Sequence, residues 1–231
     1  MSEFLPRLPA YIGFDLDAQA VDALAMATNQ IHWVQADPFA WKWVVIALHN
    51  ALHGFMGLAL RRTDGAQLLI EKHERRTYEH WERERQAEQF LHDPGPTRID
   101  AFLNLYEKIK NPERMRQFLH SKPFLSTEDQ DTSVAYLDRL RNDLSHYSDI
   151  RLVVRIAALP RVVEDCAAVI GFLSRESGNV TLYPFALEER VGVLLSELVT
   201  TAHELAHGYD AIGEEKQQRR DVVQMSKMKP D

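Results

Sequence analysis

Three residue types that could do chemistry together lie within six positions of one another in the segment YLDRLRNDLSHYSD, Tyr136 to Asp149: Arg141, Asn142 and His146. A guanidinium holds phosphate charge in a planar fork, and an imidazole moves a proton near neutral pH. Together they suffice to cleave a phosphodiester without a metal. On a regular helix Arg141 and His146, five residues apart, sit about 140° from each other around the axis. Asn142 and His146 share a face at four-residue spacing. The spacing therefore predicts that Asn142 orients the imidazole while Arg141 reaches round from the side, with a helix end near His146 or a symmetry mate closing the gap. Tyr147 is placed to stack or to donate a hydrogen bond. Arg139 and Arg151, with Arg155 and Arg161, are candidates for a local positive patch. The plainer reading pairs Arg141 with Asp138 or Asp143 and leaves His146 as a helix cap.

A second constellation competes. TTAHELAHGYD, Thr200 to Asp210, contains H-E-x-x-H at His203, Glu204 and His207. On a helix that spacing puts two imidazoles on one face, able to hold zinc, with the glutamate activating water. A catalytic zinc needs a third protein ligand, and the downstream candidates are Asp210, Glu214 and Glu215, close to the end of the sequence. Zinc is accordingly the alternative cofactor, and the leading expectation is none. His49 and His53 are also four apart, but their helix is apolar with no nearby Cys or acid, which marks them as satisfied core or interface histidines. Trp33, Trp41 and Trp43 flank a helix junction and are expected to pack the bundle.

These groups need a scaffold, and the composition supplies one. The chain has 231 residues and 45% hydrophobic composition, enough to bury a core. Lys and Arg number 27 against 34 Asp and Glu, a formal charge of −7. That balance excludes a protein that coats nucleic acid along its whole surface, so any RNA contact must be local. The single cysteine, Cys166, excludes an internal disulfide framework and suits a reducing cytosol. The opening MSEFLPRLPAYIGFDLD lacks the basic start and apolar run of an export signal. The expectation is a cytoplasmic protein with no membrane association. The most membrane-like stretch, Trp41 to Leu60, is interrupted by Lys42, His49, Asn50 and His53, and reads as a buried bundle helix.

Periodicity predicts an all-α chain. Leu16 to Gln35 repeats apolar residues at helical spacing until Asp37-Pro38 breaks it, and the next helix starts near Pro38, runs to about Leu60 and is apolar nearly all round. Gln67 to Leu91 reads as a long charged helix, with Glu71/Arg75 and Glu79/Arg83 attractive and Glu84/Glu88 repulsive. DPGPT, Asp93 to Thr97, is a linker. IDAFLNLYEKIK and ERMRQFLH follow as short helices ended by Asn111-Pro112 and Pro123. Ser126 to Asp129 caps the motif helix, whose apolar face is Val134, Leu137, Leu140 and Leu144. DIRLVVRIAALP is compatible with either an extended or a helical form. RVVEDCAAVIGFLSRE is an amphipathic helix ended at Ser177-Gly178-Asn179, VTLYP a short extended connection, and Phe185 to about Ala211 the last helix. Residues 1–211 form a single helical domain on this reading, and residues 212–231 a polar, fraying tail.

RNDLSH fits the R-[polar]-x-x-x-H pattern of the HEPN superfamily. WKWVVIALHNALHGFMGLAL, FLNLYEKIK, LDRLRNDLSHY and LPRVVEDCAAVIGFLSRESGN stand in the order and character of a bacterial HEPN-like family of helical proteins. The resemblance covers roughly Trp41 to Leu205. It implies an all-α bundle with a long charged helix inserted, and a homodimer that brings two motifs to one cleft. It further implies a metal-independent endoribonuclease, of the kind found in toxin and defence systems, with Arg141, Asn142 and His146 catalytic and Tyr147, Arg139 and Arg151 contacting RNA. An antitoxin or defence partner protein belongs to that expectation. The alternatives are a non-catalytic HEPN-like module that binds a nucleotide or a protein, and an H-E-x-x-H zinc hydrolase.

Overall fold

A computed structural model describes residues 15–61, 68–70, 99–146 and 152–227, with positions 72, 76, 79, 80 and 83 between them. Its helices are α1 (Leu16–Ile31), α2 (Trp41–Leu60), α3 (Phe102–Lys110), α4 (Pro112–Met115), α5 (Glu128–Ser145), α6 (Leu159–Arg175) and α7 (Ala186–Lys227), with single 3-10 turns at Pro38–Ala40 and Ile156–Ala158. No strand occurs among the described residues, only an isolated bridge between Leu69 and Ile99. The chain is all-α, as its periodicity predicts.

α2 is the axis of the bundle, packed by α1, α3, α5 and α6. Neighbours on every side explain why it is apolar nearly all round. Pro38–Leu60 is long and apolar enough to cross a membrane, but 72% of its most apolar window is buried against the other helices. The α1–α2 crossing is close because Gly54 carries no side chain: a Cβ there would lie 2.7 Å from Ala20 Cβ and 3.0 Å from its Cα. α7 covers α1 and α6.

The helix boundaries follow local chemistry. The Asp15 carboxylate accepts from the Ala18 amide and starts α1, and Asp37 does the same for Phe39 ahead of Pro38. Thr127 and Gln130 form a reciprocal capping box at the start of α5. α6 ends before Gly178, whose φ of +74° is costly for any residue with a Cβ.

Several boundaries differ from the expectations. α1 stops at Ile31 rather than Gln35, giving way to turns. Trp41 is buried, and its indole N–H donates to the Tyr209 hydroxyl at 3.2 Å, but Trp33 and Trp43 are 63% and 54% exposed and do not pack the core. ERMRQFLH forms only the single turn Pro112–Met115. The reason is a competing buried polar group: the Asn179 amide donates to the carbonyls of Met115 and Ala59 at 2.8 and 3.1 Å, while the Gln117 and Phe118 amides turn to the Ser121 hydroxyl. Leu152 to Arg155 forms no regular element, with Arg155 extended, and the rest of the segment turns helical through the 3-10 turn Ile156–Ala158 into α6. The last helix runs to Lys227 instead of about Ala211, consistent with the strong helix formers in EEKQQRR. Of the charged segment, Leu69 pairs with Ile99 rather than beginning a helix, and positions 72, 76, 79, 80 and 83 are helical. The Arg83 guanidinium donates to the Glu79 carbonyl at 3.0 Å. The DPGPT linker and the pairs Glu71/Arg75 and Glu84/Glu88 lie outside the described residues.

Candidate functional site at the junction of α2 and α5

The capping box fixes where α5 begins, and its apolar stripe fixes its rotation. Val134, Leu137 and Leu140 are buried and Leu144 partly so, which turns Asp138, Arg141 and Asn142 along the edge of the contact with α2. There the central helix presents its two histidines. His49 Nε2 lies 3.0 Å from Asp138 Oδ1. The acid absent from the histidines' own helix is thus supplied by another, a correction to the sequence expectation.

His49 is 3% exposed and stacks on Phe102 at 4.0 Å between centroids. Burial lowers its pKa from 6.5 to about 4, further lowered by the Arg141 charge and only partly opposed by the hydrogen bond to Asp138. A neutral ring beside a carboxylate carries its proton on Nε2, which it donates, so Nδ1 is a bare lone pair. That nitrogen is buried without a partner, as is Nε2 of His53. Burial also lowers the His53 pKa, opposed by a backbone hydrogen bond to Asp100 and assisted by the Arg141 charge. His49 is therefore buried and His53 partly so, and each keeps an unsatisfied nitrogen where satisfied histidines were expected. His53 also lines a cleft of about 480 Å³ between α1 and α2, with Gln19, Asp22 and Asn50 around it.

Arg141 does not pair with Asp138 or Asp143. Its Nη1 donates to Asn142 Oδ1 at 2.9 Å, and no described carboxylate lies within ion-pair distance of it. One guanidinium N–H is spent on a neutral amide, and among the described residues the charge has no carboxylate as its ion-pair partner. Asn142 thus positions Arg141, not the imidazole as its spacing had suggested. His146 is the C-cap of α5: its amide donates to the Asn142 carbonyl at 3.0 Å, while its ring is exposed and makes no hydrogen bond to a described residue. The capping reading holds for its backbone and leaves the side chain available. Within one chain the structure brings together Arg141, Asn142 and, through the backbone, His146.

The surrounding cations divide. Arg139 is exposed, over the ring of Tyr136 at 5.2 Å. Arg155 is exposed. Arg161 is not a free cation: it bonds Asp129 and Asp165 at 3.2 Å each, and Asp165 also accepts from the Ser133 hydroxyl at 2.6 Å. Tyr147 and Arg151 lie outside the described residues. Sequence reasoning missed Asp138 as the partner of His49, and the His49–His53 pair as neighbours of Arg141. The available signal was the four-residue spacing of polar residues on an otherwise apolar helix.

The H-E-x-x-H segment sits on α7 with Ala202 and Leu205 facing the core and His203, Glu204 and His207 outward. No group of three or more His, Cys, Asp or Glu side chains converges as a metal cage among the described residues. Asp210 is exposed and joins no such group, and the side chains of Glu214 and Glu215 lie outside the described residues. The third ligand that a zinc hydrolase requires is not supplied by the described residues.

The chain matches no protein-family model, no curated protein and no solved structure.

Proposed function

We propose that this chain is a metal-independent endoribonuclease of the HEPN type, working in the cytoplasm as a homodimer whose two α5 helices end at a shared cleft. The reading is supported by one observation above the rest: Arg141 is held by a neutral amide instead of a carboxylate, with the exposed ring of His146 five residues further along the same helix end. A guanidinium already paired with an acid has little attraction left for phosphate, whereas one aligned by Asn142 keeps its charge for a bidentate contact.

The ribose 2′-hydroxyl attacks the adjacent phosphorus, and the bond to the 5′-oxygen breaks. His146 removes or returns the proton, the step suited to an imidazole at neutral pH. Arg141 stabilises the extra negative charge on the phosphoryl oxygens. Asn142 fixes the guanidinium plane, and the Asp138 carboxylate accepts from His49 at Oδ1. Tyr147, Arg139 and Arg151 contact the strand on either side. DNA, without the 2′-hydroxyl, is not cut.

Single-stranded RNA incubated with the purified protein in EDTA tests this. The products should carry 2′,3′-cyclic phosphate ends, and Arg141→Ala and His146→Ala should each lose about 10²-fold or more in rate. Wild-type cutting by either variant, or dependence on a divalent ion, refutes the assignment. The pairing of Arg161 with two acids favours a second reading, because it removes one cation from the patch that RNA would need. That reading is a non-catalytic HEPN-like module whose cleft binds a nucleotide or a partner protein such as an antitoxin. Tight binding of RNA or nucleotide with no cleavage selects it.

A further inference from the structure

On the outer face of α7, His203 Nε2 and His207 Nε2 approach to 3.1 Å, with their rings edge to face at 4.5 Å between centroids and 88° between planes. Two nitrogen ligands at about 2.05 Å from one metal stand about 2.9 Å apart at a right angle and about 3.3 Å apart at the tetrahedral angle. The observed separation falls between those limits, so the two nitrogens, which now share a proton in a hydrogen bond, are spaced as two ligands of a single ion that would displace it.

A third group favours that use. Glu164, on the adjacent α6, places Oε1 3.4 Å from His203 Nδ1. The contact is an ion-pair approach and not a hydrogen bond, but a carboxylate on that side favours a proton on Nδ1 and a lone pair on Nε2, the orientation that metal-bound histidines receive from an outer carboxylate. The His203 side chain is 66% exposed, so an ion reaches it directly from solvent. Leu198, Ala202 and Leu205 are buried on the opposite face of α7 and fix its rotation, which holds the two rings outward.

We propose that His203 and His207 form a bidentate site for a divalent ion that prefers imidazole, such as Zn²⁺ or Ni²⁺, with Glu164 as its orienting partner. The remaining coordination positions face solvent and take water. The site proposed is one for ion binding, with two protein ligands among the described residues. It is independent of the nuclease reading, which uses no metal and rests on residues of α5.

Calorimetric titration of the untagged, full-length protein with ZnCl₂ and with NiCl₂, and with MgCl₂ as the oxygen-preferring control, tests the site. One Zn²⁺ or Ni²⁺ should bind per chain and Mg²⁺ should not. His203→Ala and His207→Ala should each weaken binding at least about tenfold, and Glu164→Gln about tenfold. His203 and His207 are exposed and Glu164 is partly buried, so circular dichroism of each variant checks that it is folded before its affinity is compared. Equal Zn²⁺ affinity in the wild type and in His203→Ala overturns the proposal, and leaves the two rings as a hydrogen-bonded pair and nothing more.

Discussion

The buried His49 makes the stability of this protein depend on pH in a way that can be worked out in advance. In the unfolded chain an imidazole takes up its proton near 6.5, whereas in the fold burial and the Arg141 charge delay this until about 4. Between those values the unfolded state binds more protons, so acid favours it. The stabilisation is whole above about 6.5, declines as the pH falls, and is spent by about 4. At 1.36 kcal/mol for each tenfold in proton affinity, the full loss is about 3 kcal/mol, of which about 2 kcal/mol falls between pH 7 and 5. For a domain of this size about 2 kcal/mol corresponds to about 4–8 °C in Tm. His53 acts with the same sign. Asp100 and Asp131, although buried in part, have their pKa values lowered by hydrogen bonds and by Lys108 and Lys110, so they add losses only below the ordinary carboxylate range. The interval from pH 7 to 5 thus isolates the histidines. His49→Gln is the informative variant, since its amide still donates to Asp138 from about the same position but does not titrate. Urea unfolding of both proteins at pH 7, 6 and 5 should show the wild type losing about 2 kcal/mol more than the variant over that interval. An identical pH slope in the two proteins refutes the reasoning.

Two further outcomes test the packing of the same region. Arg141→Gln removes a cation that lowers the pKa of both His49 and His53, so their titrations followed by NMR should move up toward 6.5, and unmoved titrations would place Arg141 elsewhere. Gly54→Ala drives a methyl to 2.7 Å from Ala20 at the α1–α2 crossing and should cost about 1–3 kcal/mol in denaturant unfolding; no measurable loss would mean that the two helices are free to separate.

Much of the scaffold is legible locally. Asp37-Pro38, the Thr127–Gln130 box and Ser177-Gly178 set helix boundaries through groups within a few residues of each other, and the apolar period of α5 states which face is buried. The crowding of Arg141, Asn142 and His146 at one helix end is equally a property of the sequence. Local signals failed where a distant group intervened, as when Asn179 took the carbonyl of Met115, 64 positions away, and cut a helix to one turn.

Sequence alone therefore determined that the protein is helical, where most of its helices begin and end, and which side chains could do chemistry. Only the tertiary structure decided that Asp138 serves His49, 89 residues away, that Arg141 is left with an amide instead of an acid, and that Arg161 is spent on two carboxylates. Periodicity records that a face is covered but not by which helix. Electrostatic partners are chosen by distance in space, which chain order does not encode.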